Sequence, residues 1–183
     1  MTQSNKHTTL IISLIALGVF SRFLPHPPNA TAIGAVAIFG GFALQRISLS
    51  MLVLFASLFI SDMVLNNIVY ASYYEGFQLL TPGFIYMYLG FAISIFAGRW
   101  VKTNYTYGRI AGASIVSVVA FFLLSNFGAW LGNPMYPQNI SGLIASYVAG
   151  LPFALNQFTF TALYAVVLFG AYGVFTKKYP TFA

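Results

Sequence analysis

The chain has 183 residues, of which 59% are hydrophobic and only 5% charged, with a formal net charge of +6. A soluble globule carries roughly 25% charged residues, so this composition excludes one and fits a chain whose solvent is lipid. Cysteine is absent, which excludes disulfides, thiolate metal sites and a cysteine nucleophile.

A bilayer core about 30 Å thick takes about 20 apolar residues per helix. Six segments meet or approach that length, at 8–24, 31–46, 48–70, 82–101, 107–131 and 153–176. They predict an all-α integral membrane protein, a six-transmembrane-helix bundle forming a single transmembrane domain over 1–183. The first segment follows Lys6 and runs through Arg22 into Pro25-His26-Pro27-Pro28. It has no small-residue cleavage site, so it reads as a retained helix rather than a secretory signal. The second is short and rich in small residues (Ala32, Gly34, Ala35, Ala37, Gly40, Gly41), which predicts close backbone approach and shielding by its neighbours. Thr81-Pro82-Gly83 starts the fourth segment, with Pro82 expected in its first turn. Gly90, Ser94 and Gly98 in the fourth, and Gly108 and Gly112 in the fifth, predict helix-packing seams. Pro134, Pro137 and Pro152 break the connection from the fifth segment to the sixth. The apolar run Ile140 to Leu151 inside that connection is too short to span, and reads as a separate short helix in the outer loop.

Basic residues mark the cytoplasmic side of a membrane chain. With the N-terminus inside, Lys6, Arg46, Arg99, Lys102, Arg109, Lys177 and Lys178 fall inside and only Arg22 outside. Six spans then put both termini in the cytoplasm, and the positive charge needs no nucleic acid to explain it. The expected place is the cell inner (cytoplasmic) membrane, as a multi-pass protein.

Asp62 and Glu75 are the only acidic residues, and Asp62 lies inside an apolar run. Counted at ~1.5 Å per residue from the inner helix starts, Arg22 and Asp62 both sit roughly 21 Å up. Charges in lipid are costly unless matched, so these two are expected to form an ion pair or share a polar cavity. The alternative is that Arg22 snorkels to the interface while Asp62 bonds backbone or amide donors.

Seven of the nine asparagines fall on the same side as Arg22: Asn29, Asn66, Asn67, Asn126, Asn133, Asn139 and Asn156. Gln78, Gln138 and Gln157 join them, with Tyr70, Tyr73, Tyr74, Phe77, Trp130, Tyr136 and Tyr147 at the same level. Rings with a few neutral donors and acceptors line small-molecule pockets, although interfacial aromatic belts look similar. The expected pocket lining is Arg22, His26, Asn29, Asp62, Asn66, Gln78, Asn126, Trp130 and Tyr147. His26 stands alone beside prolines and reads more readily as a loop residue than as a ligand contact.

No catalytic group, metal constellation or cofactor motif emerges. His7 and His26 are isolated, and no second carboxylate stands near Asp62 for acid–base work. Ser61 and Ser125 have no evident base. An enzyme is therefore not expected.

Arg22-Phe23-Leu24-Pro25-His26-Pro27-Pro28-Asn29 and the small-residue helix ending Phe39-Gly40-Gly41 resemble a widespread, uncharacterised family of bacterial membrane proteins. Ser61-Asp62, Leu80-Thr81-Pro82-Gly83, Ala97-Gly98-Arg99-Trp100 and Leu124-Ser125-Asn126-Phe127-Gly128 recur there in similar places. More distantly, the layout from Arg22 to Leu155 resembles the substrate-binding (S) components of energy-coupling-factor vitamin transporters. The cobalamin-type S components that work without a dedicated energising module look most similar. The resemblance implies a six-helix bundle with a pocket open to the outer side, a vitamin-like ligand and a possible membrane energising partner. It also implies one departure. Some cobalamin binders have a cysteine two residues before Thr-Pro, and Leu79 stands here, so thiolate ligation of cobalt is excluded. Two other functions are compatible with the residues: a structural or assembly subunit of a larger membrane complex, and a proton-linked transporter using Asp62.

Overall fold

The computed structural model describes the backbone of residues 3–178 and the side chains of residues 8–177. The side chains of Lys6, His7 and Lys178 lie outside the described residues. The helices are α1 (Gln3–Phe23), α2 (Ile33–Ala43), α3 (Ile47–Val64), α4 (Phe84–Thr103), α5 (Tyr107–Gly132) and α6 (Ile140–Lys178). A π turn, Leu65–Val69, extends α3, and a short 3₁₀ turn follows at Ala71–Tyr73. There is no strand among the described residues.

Four helical stretches are long and apolar enough to cross a membrane: Ile47–Val69, Phe84–Thr103, Tyr107–Gly132 and Ile140–Lys177. Thr8–Phe23 and Ile33–Ala43 are shorter apolar helices. Large side chains such as Phe55, Phe59, Ile60, Phe96, Ile115, Val166 and Val167 are exposed, far more apolar surface than a soluble monomer presents. The protein is built to meet lipid.

α2 is the centre of the bundle. It packs against all five other helices, and every residue from Ile33 to Phe42 is buried. Its small residues permit this. A side chain at Gly41 would run into the carbonyl of Ile95, and one at Gly98 into the carbonyl of Ile38. α2 and α4 therefore cross with their backbones nearly touching, as small-residue seams allow in membranes. Gly90 meets Phe121 of α5, where a β-carbon would lie 2.8 Å from its Cα. Ser94 donates to Ser117 of α5 at 2.7 Å. The expected seam on α4 thus contacts α2 at one end and α5 at the other. The seam expected on α5 is only half present. Gly112 lies against Trp100, whereas Gly108 faces open space.

Two expected boundaries move. Pro82 precedes α4 instead of opening it: Phe84 N donates to Thr81 O at 2.9 Å, and Gly83 has φ 76° and ψ 10°. That is a type II turn, with proline second and a left-handed glycine third. Residues 140–151 do not form a separate helix. They are the first turns of α6, which runs 39 residues with Pro152 inside it. Asn139 starts it, its Oδ1 accepting from Gly142 N at 2.9 Å as an N-cap. Pro152 removes one N–H without ending the helix, a tolerance common in membrane helices. At 1.5 Å per residue α6 is about 58 Å long, so one end projects well beyond a bilayer core.

The chain reverses between successive helices, so loops 24–32, 70–83 and 133–139 lie at one end of the bundle and loops 44–46 and 104–106 at the other. Arg46, Arg99, Lys102, Arg109 and Lys177 gather at the second, basic end. There Arg99 Nη2 donates to Gln45 O at 3.0 Å, and the guanidinium of Arg109 stacks 5.2 Å from the Trp100 ring.

Candidate functional site

At the asparagine-rich end, α1 and α3 bring Arg22 and Asp62 together. Arg22 Nη1 lies 2.7 Å from Asp62 Oδ1, with side-chain exposures of 15% and 1%. The carboxylate oxygen sits off the line of the N–H bonds and takes no directed hydrogen bond there, so the contact is chiefly Coulombic. The guanidinium aims its hydrogens elsewhere, donating to Ser61 Oγ at 2.5 Å and to Leu58 O at 3.3 Å. Ser61 in turn bonds the carbonyl of Ser57 at 2.6 Å. Tyr88 of α4 completes the cluster by donating to Asp62 Oδ2 at 3.1 Å. A buried ion pair is tolerable only when extra hydrogen bonds support it, and Ser61 and Tyr88 supply them. The sequence alone does not single out either as a partner. Tyr88 carried a signal: a phenol within an apolar span needs a partner for its hydroxyl.

One turn beyond Asp62 the helix widens into the π turn, where Asn66 is buried. Asn66 Nδ2 donates to Thr81 Oγ1 at 3.0 Å. Its neighbour Asn67 holds the loop before α4, donating to Gln78 O at 2.8 Å and accepting from Gln78 N at 2.8 Å. Gln78 thus joins this group through its backbone. π turns insert an extra residue into a helix and often mark functional positions.

Asn126, Trp130 and Tyr147 form a second group. Asn126 Nδ2 bonds Phe122 O at 2.8 Å within α5, and its side chain fills the notch at Gly150 of α6. Tyr147 donates to Leu123 O at 3.1 Å. Trp130 Nε1 donates to Pro137 O at 2.9 Å. The bonds of Tyr147 and Trp130 join α5 to α6 and to the loop between them. α3 packs on α1, α2 and α4, whereas α5 packs on α4, α6 and α2. The structure therefore brings Arg22, Asp62 and Asn66 together and does not bring Asn126, Trp130 and Tyr147 to them.

His26 and Asn29 lie in the loop between α1 and α2. His26 Nδ1 is 2.7 Å from Pro27 O. Asn29 takes a left-handed backbone with φ 63°, a conformation asparagine accepts in turns. Glu75 is exposed in the loop after the 3₁₀ turn.

Two concavities are open surface depressions. One is an apolar groove of about 560 Å³ along α3 and α4, lined by Leu52, Phe55, Phe59, Ile85 and Tyr88. The other, of about 550 Å³, lies in the loop from Leu131 to Gln138. Among the described residues no three histidine or acidic side chains cluster as metal ligands would.

A family model described as a family of unknown function, DUF6580, matches residues 2–182. The chain belongs to this family. No curated protein and no solved structure matches it. The match spans nearly the whole chain, so both side-chain groups lie within the matched residues.

Proposed function

We propose that the protein is a small-molecule binding or uptake component of the bacterial inner membrane, of S-component type, open to the outer side at its asparagine-rich end. The observation that carries this reading is the buried Arg22–Asp62–Tyr88 cluster at the foot of a π turn. Buried charge is costly in a bilayer and in most membrane proteins serves function. A regular apolar helix would fold without it. In this reading all six helices belong to the membrane unit, and both termini lie in the cytoplasm beside the basic end. The ligand is small and vitamin-like, and a membrane energising subunit docks on the helix faces. The protein itself carries out no covalent chemistry.

The test is a thermal-shift and mass-spectrometric screen of the purified protein against a broad vitamin panel. One panel member should raise the unfolding temperature and travel with the protein. A panel with no binder opposes the reading.

A second reading, a structural or assembly subunit of a larger membrane complex, is favoured by how the outer amides are used. Asn67, Asn126 and Asn156 bond loop or helix carbonyls of this chain. Stable copurification with larger subunits, together with an empty ligand screen, would establish it.

A further inference from the structure

The N-terminus of α2 is buried in the bundle. Its cap position is Ala32, which offers no side-chain oxygen, and Ala32 N itself donates to Ser21 Oγ at 3.0 Å. The N–H groups of Ile33, Gly34 and Ala35 have no partner within the helix, and none elsewhere among the described residues. All three residues are buried.

Two polar side chains of α6 are buried without partners. Thr161 Oγ1 and both polar atoms of Gln157 are buried without a hydrogen-bond partner, in residues 0% and 2% exposed. Ser57, Ser114, Thr159 and Thr176 each bond a carbonyl one turn back in their own helix, and Ser50, Ser94 and Ser146 bond a neighbouring helix. Thr161 does neither. Its hydroxyl turns toward α2, where a β-carbon on Gly34 would lie 2.7 Å from Thr161 Oγ1 and 3.1 Å from Ser117 Oγ. Gln157 lies one helical turn from Thr161 on the same face, and the preceding residue, Asn156, bonds Pro28 O in the loop that leads to α2. Ser117 and Ser94 share one hydrogen bond, so one of their two hydroxyl protons is left to donate.

Donors dominate this cluster: three backbone N–H groups, the Thr161 hydroxyl, the Gln157 amide and one serine proton. A helix N-terminus adds a positive partial charge, and in a low-dielectric interior that field is strong. Unpaired buried donors are expensive, so their concentration at one point calls for an acceptor. We infer that the N-terminus of α2, with Gln157 and Thr161 of α6, forms a buried site for a small monovalent anionic group, either a carboxylate or a free halide. Discontinuous helices in membrane transporters present their N-termini to anionic groups in this way. This anion site shares no residue with the Arg22–Asp62–Tyr88 cluster and needs no vitamin screen to probe it.

The experiment is thermal unfolding of the purified full chain with sodium chloride, formate or acetate replacing sodium isethionate at constant ionic strength. A ligand that binds only the folded state raises stability with its concentration. The unfolding temperature of the natural sequence should rise with at least one of the three anions. A rise with all three assigns the site to any small monovalent anion, a rise with chloride alone assigns it to halides, and a rise without chloride assigns it to carboxylates. Gln157→Leu and Thr161→Val should be more stable than the natural sequence without these anions, because each removes an unpartnered buried group, and both should lose the anion response. Thr161→Ser and Ser114→Ala should keep it. No rise with any of the three anions, or a rise undiminished in both Gln157→Leu and Thr161→Val, overturns the inference.

Discussion

Arg22 and Asp62 face each other at 2.7 Å across the α1–α3 interface, yet the hydrogen bonds of the pair run outward to Ser61, Leu58 and Tyr88. The two charges are therefore unequally dependent on each other. Arg22 has acceptors of its own and some exposure. Asp62 is fully enclosed and keeps only Tyr88 if the guanidinium is lost.

That asymmetry predicts unequal costs. Arg22→Met leaves a buried carboxylate uncompensated and should cost about 3–5 kcal/mol, whereas Asp62→Leu should cost less. Replacing a buried pair by apolar residues is often neutral, so Arg22→Met with Asp62→Leu should recover most of the loss. Denaturant unfolding of the four proteins in one detergent measures it. Additive losses in the double variant would show that the charges do not act as a pair.

The α2–α4 crossing predicts a contrast between glycines. Gly41→Ala and Gly98→Ala force a methyl group into an opposing carbonyl and should destabilise by about 1–3 kcal/mol. Gly108→Ala meets open space and should gain up to about 1 kcal/mol from reduced chain entropy. Unfolding temperatures of the three variants check this. Equal effects would mean that the helices are not in the contact described.

The pairing of Arg22 with Asp62 was legible in the sequence because helical rise is regular and charge in lipid must be matched. Its lateral surroundings were not. The sequence puts Asn126, Trp130 and Tyr147 on the same side of the membrane as Asp62, but only the helix neighbours decide whether they meet, and α5 turns toward α6. The central place of α2 was readable from its small residues, since nothing larger than glycine fits at Gly41. The continuity of α6 was hidden by Pro152, because the rule that proline ends helices is drawn from water. The Gln157–Thr161 face was hidden for another reason. Whether a helical threonine bonds its own backbone is a rotamer choice that no residue pattern records.

The two ends of the bundle predict opposite accessibility. The chain has no cysteine, so single introduced thiols report cleanly. Asn133→Cys at the asparagine-rich end should react with an impermeant maleimide in intact cells. Lys102→Cys at the basic end should react only after the membrane is opened. The reverse pattern would invert the orientation drawn from the positive charges.

The bonds from Asn67 to Met63 O and Gln78 O predict that this one side chain fastens the loop between α3 and α4. Asn67→Ala should speed amide hydrogen exchange across residues 70–83 and leave α5 and α6 unchanged. Unaltered exchange in that loop would show that other contacts hold it.

The central claim, that this membrane protein takes up a small molecule from the outer side, is tested most directly by whole-cell uptake of a labelled vitamin panel. Cells that make the chain are compared with cells that lack it. One compound should accumulate only when the chain is present. Identical accumulation of every compound in both cells would contradict the claim.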